Sequence, residues 1–289
     1  MLISQRITGS TRLVGIIGNP VKHSLSPIIH NHLFSTLNLP YAYVPLGVEQ
    51  AGLGNLVTTL RNINAVGANV TIPFKSDILQ YCDEISPLSK LTETANTLYF
   101  REGKLCATTT DYLGFLAAIK SEGAIIEESN VVILGNGGTA RTLAIALAND
   151  KKIKSLAIIG RNRAKIAPLA EEVTRKTGFI VEQALFDTPA CAALMQQCTI
   201  LVNCTPVGME PAINATPLDP NYLNTEMFVF DAIYNPAETL LLRHAKERGC
   251  RCVNGLPMLL FQGLASFEYW TGIQPPPDAI DIRDFQALL

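Results

Sequence analysis

The chain has 289 residues, 48% of them apolar, with 25 acidic and 23 basic side chains giving a net charge of −2. That length suits two domains of ordinary size, and the near-neutral balance excludes the basic face that a nucleic-acid surface needs. No run reaches the roughly 18 apolar residues of a membrane span, and residues 1–12 lack the apolar core of a secretory signal, so a cytoplasmic protein without membrane or nucleic-acid partners is expected. The seven cysteines include no Cys-x-x-Cys pair and read as reduced thiols, and the four scattered histidines argue against a metal site.

The first apolar run, 12–18, reads as a buried strand, and Gly18-Asn19-Pro20-Val21-Lys22-His23-Ser24-Leu25-Ser26-Pro27 follows it. Ser26 is suited to cap a helix over 27–38, with Pro27 at its first position. Ser24 adds a second hydroxyl beside the positive helix end, a setting for a small carboxylate as well as for plain capping. Strands at 41–46 and 66–72 alternate with helices at 49–61 and 73–81, and Lys75 falls at the start of the latter. Runs at 97–100 and 104–107 flank Arg101-Glu102-Gly103 as a hairpin. Asp111 opens a helix over 111–122, where an aspartate is commonly an N-cap.

Strands at 130–135, 155–160, 180–184, 198–203 and 227–232 then alternate with helices at 138–149, 163–176, 237–248 and 256–271, which predicts an α/β fold with parallel sheets. Gln262 lies inside the otherwise apolar last helix and needs a partner there. Pro275-Pro276-Pro277 is a stiff break before a polar tail. Between the strand ending at Leu134 and an Ala/Leu-rich helix stands Gly135-Asn136-Gly137-Gly138-Thr139-Ala140. A strand, a glycine-rich turn and a helix together hold a pyrophosphate, although Ala140 takes the place of the last glycine. The next strand ends in Gly160-Arg161-Asn162-Arg163-Ala164-Lys165, where an NAD site would carry an acid. Three cations and no carboxylate suit a 2′-phosphate, so NADP(H) is the expected cofactor.

These motifs, together with Asn69-Val70-Thr71-Ile72-Pro73-Phe74-Lys75, Thr94-Ala95-Asn96-Thr97, Thr109-Thr110-Asp111-Tyr112-Leu113-Gly114-Phe115, Asn203-Cys204-Thr205-Pro206-Val207-Gly208-Met209, Asp231-Ala232-Ile233-Tyr234-Asn235-Pro236 and Gly255-Leu256-Pro257-Met258-Leu259-Leu260-Phe261-Gln262, resemble the shikimate dehydrogenase family in order and spacing. The resemblance covers nearly the whole chain. It implies a two-domain α/β protein: a substrate domain over 1–112, completed by 254–289 as the last helix returns, and a Rossmann-type NADP-binding domain over 113–253. It implies Lys75 and Asp111 as the catalytic pair, facing each other across the substrate hydroxyls. Ser24, Ser26 and Tyr234 would hold the substrate carboxylate, and Asn69, Thr71, Asn96 and Gln262 its ring hydroxyls. Gly135, Asn136, Gly137, Gly138, Thr139, Ala140, Arg161, Asn162, Lys165, Thr205, Ala232 and Gly255 would hold the cofactor.

The activity implied is NADPH-dependent reversible reduction of 3-dehydroshikimate to shikimate in aromatic amino-acid biosynthesis, by a monomer or homodimer. The alternatives are a quinate/shikimate dehydrogenase using NAD(P) and a non-catalytic ligand-binding paralogue. The chain departs from the family at Thr109-Thr110-Asp111-Tyr112, where Asn-Thr-Asp-Gly is usual, and at Glu93-Thr94-Ala95 before Asn96. Tyr112 is therefore expected to narrow the cleft or alter cofactor approach. Arg161 matches the first arginine of the family's Asn-Arg-x-x-x-Arg, with Gly160 and Lys165 in place of the asparagine and the second arginine.

Overall fold

A computed structural model describes residues 7–276 and 279–281; Pro277 and the polar tail beyond 281 lie outside the described residues. The chain divides into two compact units, Met1–Thr110 with Gln262–Asp281, and Asp111–Phe261 with Ile282–Leu289.

In the first unit the elements run β1 (Arg12–Gly18), α1 (Ser26–Thr36), β2 (Tyr41–Gly47), α2 (Leu53–Asn62), β3 (Gly67–Val70), β4 (Glu84–Ile85), α3 (Pro87–Thr92), β5 (Thr97–Arg101) and β6 (Lys104–Thr108). Their sheet has the order β2-β1-β3-β5-β6-β4. β1 pairs in parallel with β2 and β3, as the predicted crossovers require, whereas the β5–β6 hairpin lies antiparallel to β3 and makes this sheet mixed. Ile17, Val57, Ala68, Val70, Phe74, Ile78 and Leu98 fill one side of it.

The second unit contains α4 (Asp111–Ser121), β7 (Asn130–Leu134), α5 (Gly138–Asp150), β8 (Ser155–Gly160), α6 (Arg163–Thr177), β9 (Val181–Leu185), α7 (Pro189–Gln197), β10 (Ile200–Asn203), β11 (Phe228–Asp231), α8 (Leu240–Glu247) and β12 (Arg251–Val253). Its sheet is parallel throughout, in the order β12-β11-β10-β7-β8-β9. Read from the other edge, this is the 3-2-1-4-5-6 winding of dinucleotide-binding sheets, with the strand order reversing between β7 and β10. The last helix, α9 (Leu256–Thr271), begins in this unit and belongs to the first from Gln262 onward.

Three predicted elements change. Ser26 is the first residue of α1 and not its cap; Leu25 caps it with helical backbone angles, Pro27 is second, and the Ser24 hydroxyl accepts the Ser26 N–H at 3.3 Å. The helix expected over 73–81 is a turn followed by a 3-10 segment, Asp77–Tyr81. Its first turn fails because the Lys75 carbonyl accepts from Ala95 N–H at 2.8 Å instead of from a residue ahead of it. The helix expected from 237 starts at Leu240, since Thr239 caps it by accepting the Leu242 N–H.

Candidate active site

Strand register gathers the predicted substrate residues at one edge of the first sheet. β1 and β3 are parallel, so the loop carrying Ser24 and the turn carrying Thr71 and Lys75 both leave the same edge. Asn69 pairs with Thr97, and Thr97 with Thr108, which brings the start of β5 and the end of β6 to that edge as well. Asn96 and Thr110 therefore follow from topology.

A buried polar network fixes this edge. Asn96 Oδ1 accepts from Thr110 N–H (2.8 Å) and the Thr97 hydroxyl (3.0 Å), while its amide donates to Thr110 Oγ1 (2.9 Å) and Gln262 Oε1 (3.1 Å). The partner that Gln262 needs is thus Asn96. Asn69 donates to Asn96 O (3.0 Å) and Ser266 Oγ (3.0 Å) and accepts from the Tyr43 hydroxyl (2.7 Å). Gln262, Ser266 and Trp270, four residues apart, form one stripe of α9, and Trp270 Nε1 donates to Leu98 O at 2.8 Å. Consecutive residues Ala95 and Asn96 hold the backbone of Lys75 on one side and of Thr110, immediately before Asp111, on the other. Ser24, Thr71 and Lys75 are half-buried, so their side chains reach solvent at this edge.

Two residues that sequence reading passed over support the network. Tyr43 bridges Asn69 and Ser26 through its hydroxyl, which burial keeps protonated by raising its pKa well above the usual tyrosine range. His30 stacks on that ring at 4.6 Å and meets Trp270 edge-on at 4.9 Å; burial lowers its pKa to about 3 and keeps it neutral. Their only sequence signal was an aromatic and a histidine on otherwise apolar faces.

In the second unit Asp111 opens α4 and is half-buried. The next side chain, Tyr112, is buried and donates to Asp150 Oδ2 at 2.9 Å. Asp150 ends α5, whereas the glycine-rich turn begins it, about 18 Å of helix away. The Tyr112 hydroxyl is therefore committed within this unit, away from that turn.

Asn136–Thr139 are exposed, and α5 starts from Gly137 without a side-chain cap. Gly135 has φ +104°, and a Cβ there would come within 3.1 Å of Thr205 Cγ2. Gly137 and Gly138 are different: a Cβ on either would meet nothing within 4 Å. Packing within the chain does not demand those two glycines, and the absence of a Cβ at either leaves the helix N–H groups open to close approach. Past β8, Arg161 and Lys165 are exposed and form no ion pair among the described residues. Asn162 accepts the Ala164 N–H at 2.9 Å as the cap of α6, so its side chain has a structural task. Gly255 likewise has one: its Cβ would fall 2.2 Å from Ala232 O.

At the carboxyl ends of β10 and β11, Asn203 donates to Asp231 Oδ1 (2.9 Å) and accepts from the Thr205 N–H (3.0 Å) and hydroxyl (2.7 Å). Asp231 also accepts from Ile233 N–H (3.1 Å) and the Thr239 hydroxyl (2.6 Å). Burial pushes its carboxyl up to about 6 against the pull of those donors. Tyr234 follows on the same loop, half-buried, in the second unit, whereas Ser24 and Ser26 belong to the first. A polar residue closing an all-apolar parallel strand is the signal that marks Asn203 and Asp231.

Residues 16–98 match the family described as shikimate dehydrogenase substrate binding domain, and residues 255–281 the shikimate 5'-dehydrogenase C-terminal domain. The shikimate dehydrogenase (NADP(+)) of Carboxydothermus hydrogenoformans is 39% identical, over 94% of this chain and 95% of its own. The crystal structure of shikimate 5-dehydrogenase from Listeria monocytogenes, in complex with shikimate and NAD, superposes with a TM-score of 0.91 at 35% identity, covering 98% of this chain and 99% of its own. The 5-ketofructose reductase of Gluconobacter sp. strain CHM43 shares the fold too, with a TM-score of 0.87 at 29% identity over 98% of this chain and 100% of its own. One architecture thus serves differently named reductases; with shikimate dehydrogenases 35% and 39% identical across nearly the full length, the chain belongs to the shikimate dehydrogenase family.

Proposed function

We infer that this chain catalyses the reversible, NADPH-dependent reduction of 3-dehydroshikimate to shikimate in aromatic amino-acid biosynthesis. The observation that carries the reading is the edge of the first sheet, where Ser24, Thr71 and the cationic Lys75 stand at the surface of a network built from Asn69, Asn96 and Gln262. A carboxylated, polyhydroxylated ring suits that surface. The first unit is then the substrate-binding domain and the second the NADP-binding domain.

Ser24, Ser26 and Tyr234 bind the carboxylate, and Asn69, Thr71, Asn96 and Gln262 the ring hydroxyls. Bound NADPH supplies the hydride. Lys75 donates a proton to the carbonyl oxygen and stabilises the alkoxide developing there. Asp111 accepts a hydrogen bond from a neighbouring substrate hydroxyl and so orients the ring. The backbone N–H groups of 137–139 receive the pyrophosphate, and Arg161 and Lys165 receive the 2′-phosphate. The protein acts in the cytoplasm as a monomer or homodimer, which cell fractionation and light scattering test. The deciding assay measures oxidation of shikimate and of quinate, each with NADP and with NAD. Turnover highest for shikimate with NADP is expected; preference for quinate, or for NAD, refutes the reading.

A further inference from the structure

We propose that Asn203 and Asp231 are positioning residues for the cofactor, an internal amide–carboxylate pair that presets the Thr205 loop against the glycine-rich turn. The proposal rests on the NADP-binding role given above to the second unit.

The geometry has three links. Asp231, with no measurable exposure, anchors the pair by accepting from Asn203, Ile233 N–H and Thr239, so its orientation is over-determined. That anchoring fixes which way the Asn203 amide points: its nitrogen must face Asp231, so its oxygen must face the 204–207 loop. There it takes both the N–H and the hydroxyl of Thr205, whose Oγ1 in turn accepts the Val207 N–H at 3.3 Å. Thr205 Cγ2 and Cys204 O then form the wall against which Gly135 turns, 3.1 and 3.2 Å from where a Cβ would stand. The shape of the phosphate turn is therefore set from below, by side chains that touch no ligand. Replacing the amide by a carboxylate keeps the acceptor for Thr205 but sets two carboxylates face to face, and the pair must then share one proton. The titratable group beside Asp231 is the Cys204 thiol, which burial keeps protonated, and no charged side chain pairs with the carboxylate among the described residues.

The test is NADPH binding followed by its fluorescence, with steady-state KM values alongside. In Asn203→Asp the dissociation constant for NADPH rises about tenfold or more at pH 8 and less at pH 6, while KM for shikimate changes less than about twofold. In the double variant Asn203→Asp/Asp231→Asn the amide at 231 donates to the carboxylate at 203 and keeps Thr239, losing only the Ile233 bond. Affinity returns to within about threefold of wild type at both pH values. Unchanged affinity in the single variant, a parallel rise for both ligands, or no recovery in the double variant overturns the proposal. If Asn203→Asp does not fold, Thr239→Ala, which removes one anchor of Asp231 and is not itself a cofactor residue, decides: weaker NADPH binding with KM for shikimate unchanged supports the proposal and wild-type binding overturns it. A wild-type protein that binds no NADPH overturns the cofactor reading itself, a result distinct from wild-type binding that the variants leave intact.

Discussion

The first unit spends the polar side chains of its site on one another; the second does so at Asn203, Thr205 and Asp231 but leaves those of the glycine-rich turn and of Arg161 and Lys165 open. Asn69, Asn96 and Gln262 are 5%, 3% and 9% exposed, and each is bonded to another member of one network. Asn136, Thr139, Arg161 and Lys165 are exposed. A small substrate with several hydroxyls is discriminated by geometry, so its site must be stiff before the ligand arrives. A dinucleotide is long, charged and held mainly by backbone N–H groups and surface cations, so an open cradle suffices. The contrast teaches where substitutions will hurt: in the first unit stability and activity fall together, in the second affinity falls alone.

Lys75 is the sharpest exception to that rule within the first unit, because its side chain is only half-buried. Lys75→Ala should lower kcat by about 10²–10⁴-fold with little change in melting temperature. Near-normal turnover would remove it from catalysis. Asn96→Ala removes the side-chain bonds to Thr97, Thr110 and Gln262 and should cost about 3 kcal/mol in urea unfolding, as buried partners are left unpaired. A cost below about 1 kcal/mol would show that the network is not stiff. Asp231 tests the interior of the second unit. Its native carboxyl, near 6, holds a proton more tightly than in the unfolded chain, so stability from this group is highest below about pH 4, falls through pH 4 to 6, and is flat above. Relative to Asp231→Asn, wild type should lose about 2–3 kcal/mol between pH 4 and 7; parallel pH curves would show that the group is not buried as described.

Arg161→Ala should raise KM for NADP about tenfold and KM for NAD little, with the effect shrinking in salt. Equal losses with both cofactors would make Arg161 structural. The smallest effects concern the α1 entrance. Because Ser24, and not Ser26, takes a helix N–H, Ser24→Ala should cost about 0.5–1 kcal/mol. Ser26→Ala should cost less and instead weaken shikimate binding; the reverse order would restore Ser26 as the cap.

Much of the fold was legible because its strongest signals are local. Asn130–Leu134, the glycine turn and the Ala/Leu-rich α5 announce themselves by an apolar run, a breaker and a helical pattern within twenty-one residues. What escaped was short or long-range. β4 has two residues, β12 three and α3 six, too few for a period to show. The helix misread over 73–81 failed through a bond from Ala95, which no local pattern encodes. The site residues were legible as motifs, but their division of labour was not. Nothing around Gly255 reveals that it makes room for a carbonyl, whereas Asn162, just ahead of the helix expected from 163, stands where an asparagine favours a cap. The bond from Tyr112 to Asp150, 38 residues later, is likewise one that no local pattern encodes.

The stripe on α9 has a consequence for how the protein comes into being. Gln262, Ser266 and Trp270 meet partners 166, 197 and 172 residues earlier in the chain. On the ribosome, Asn69, Asn96 and Leu98 emerge long before the helix that completes them, and residues 111–261 of the second unit are synthesised in between. During that interval the first sheet carries polar groups with no final partners, a state that such distant contacts make slow to leave. The last helix thus acts as a closing stitch: the edge that carries Lys75 and Asn96 becomes a rigid object only after residues 111–261 have been made, and a chain cut short before Gln262 would carry both on an unfinished surface.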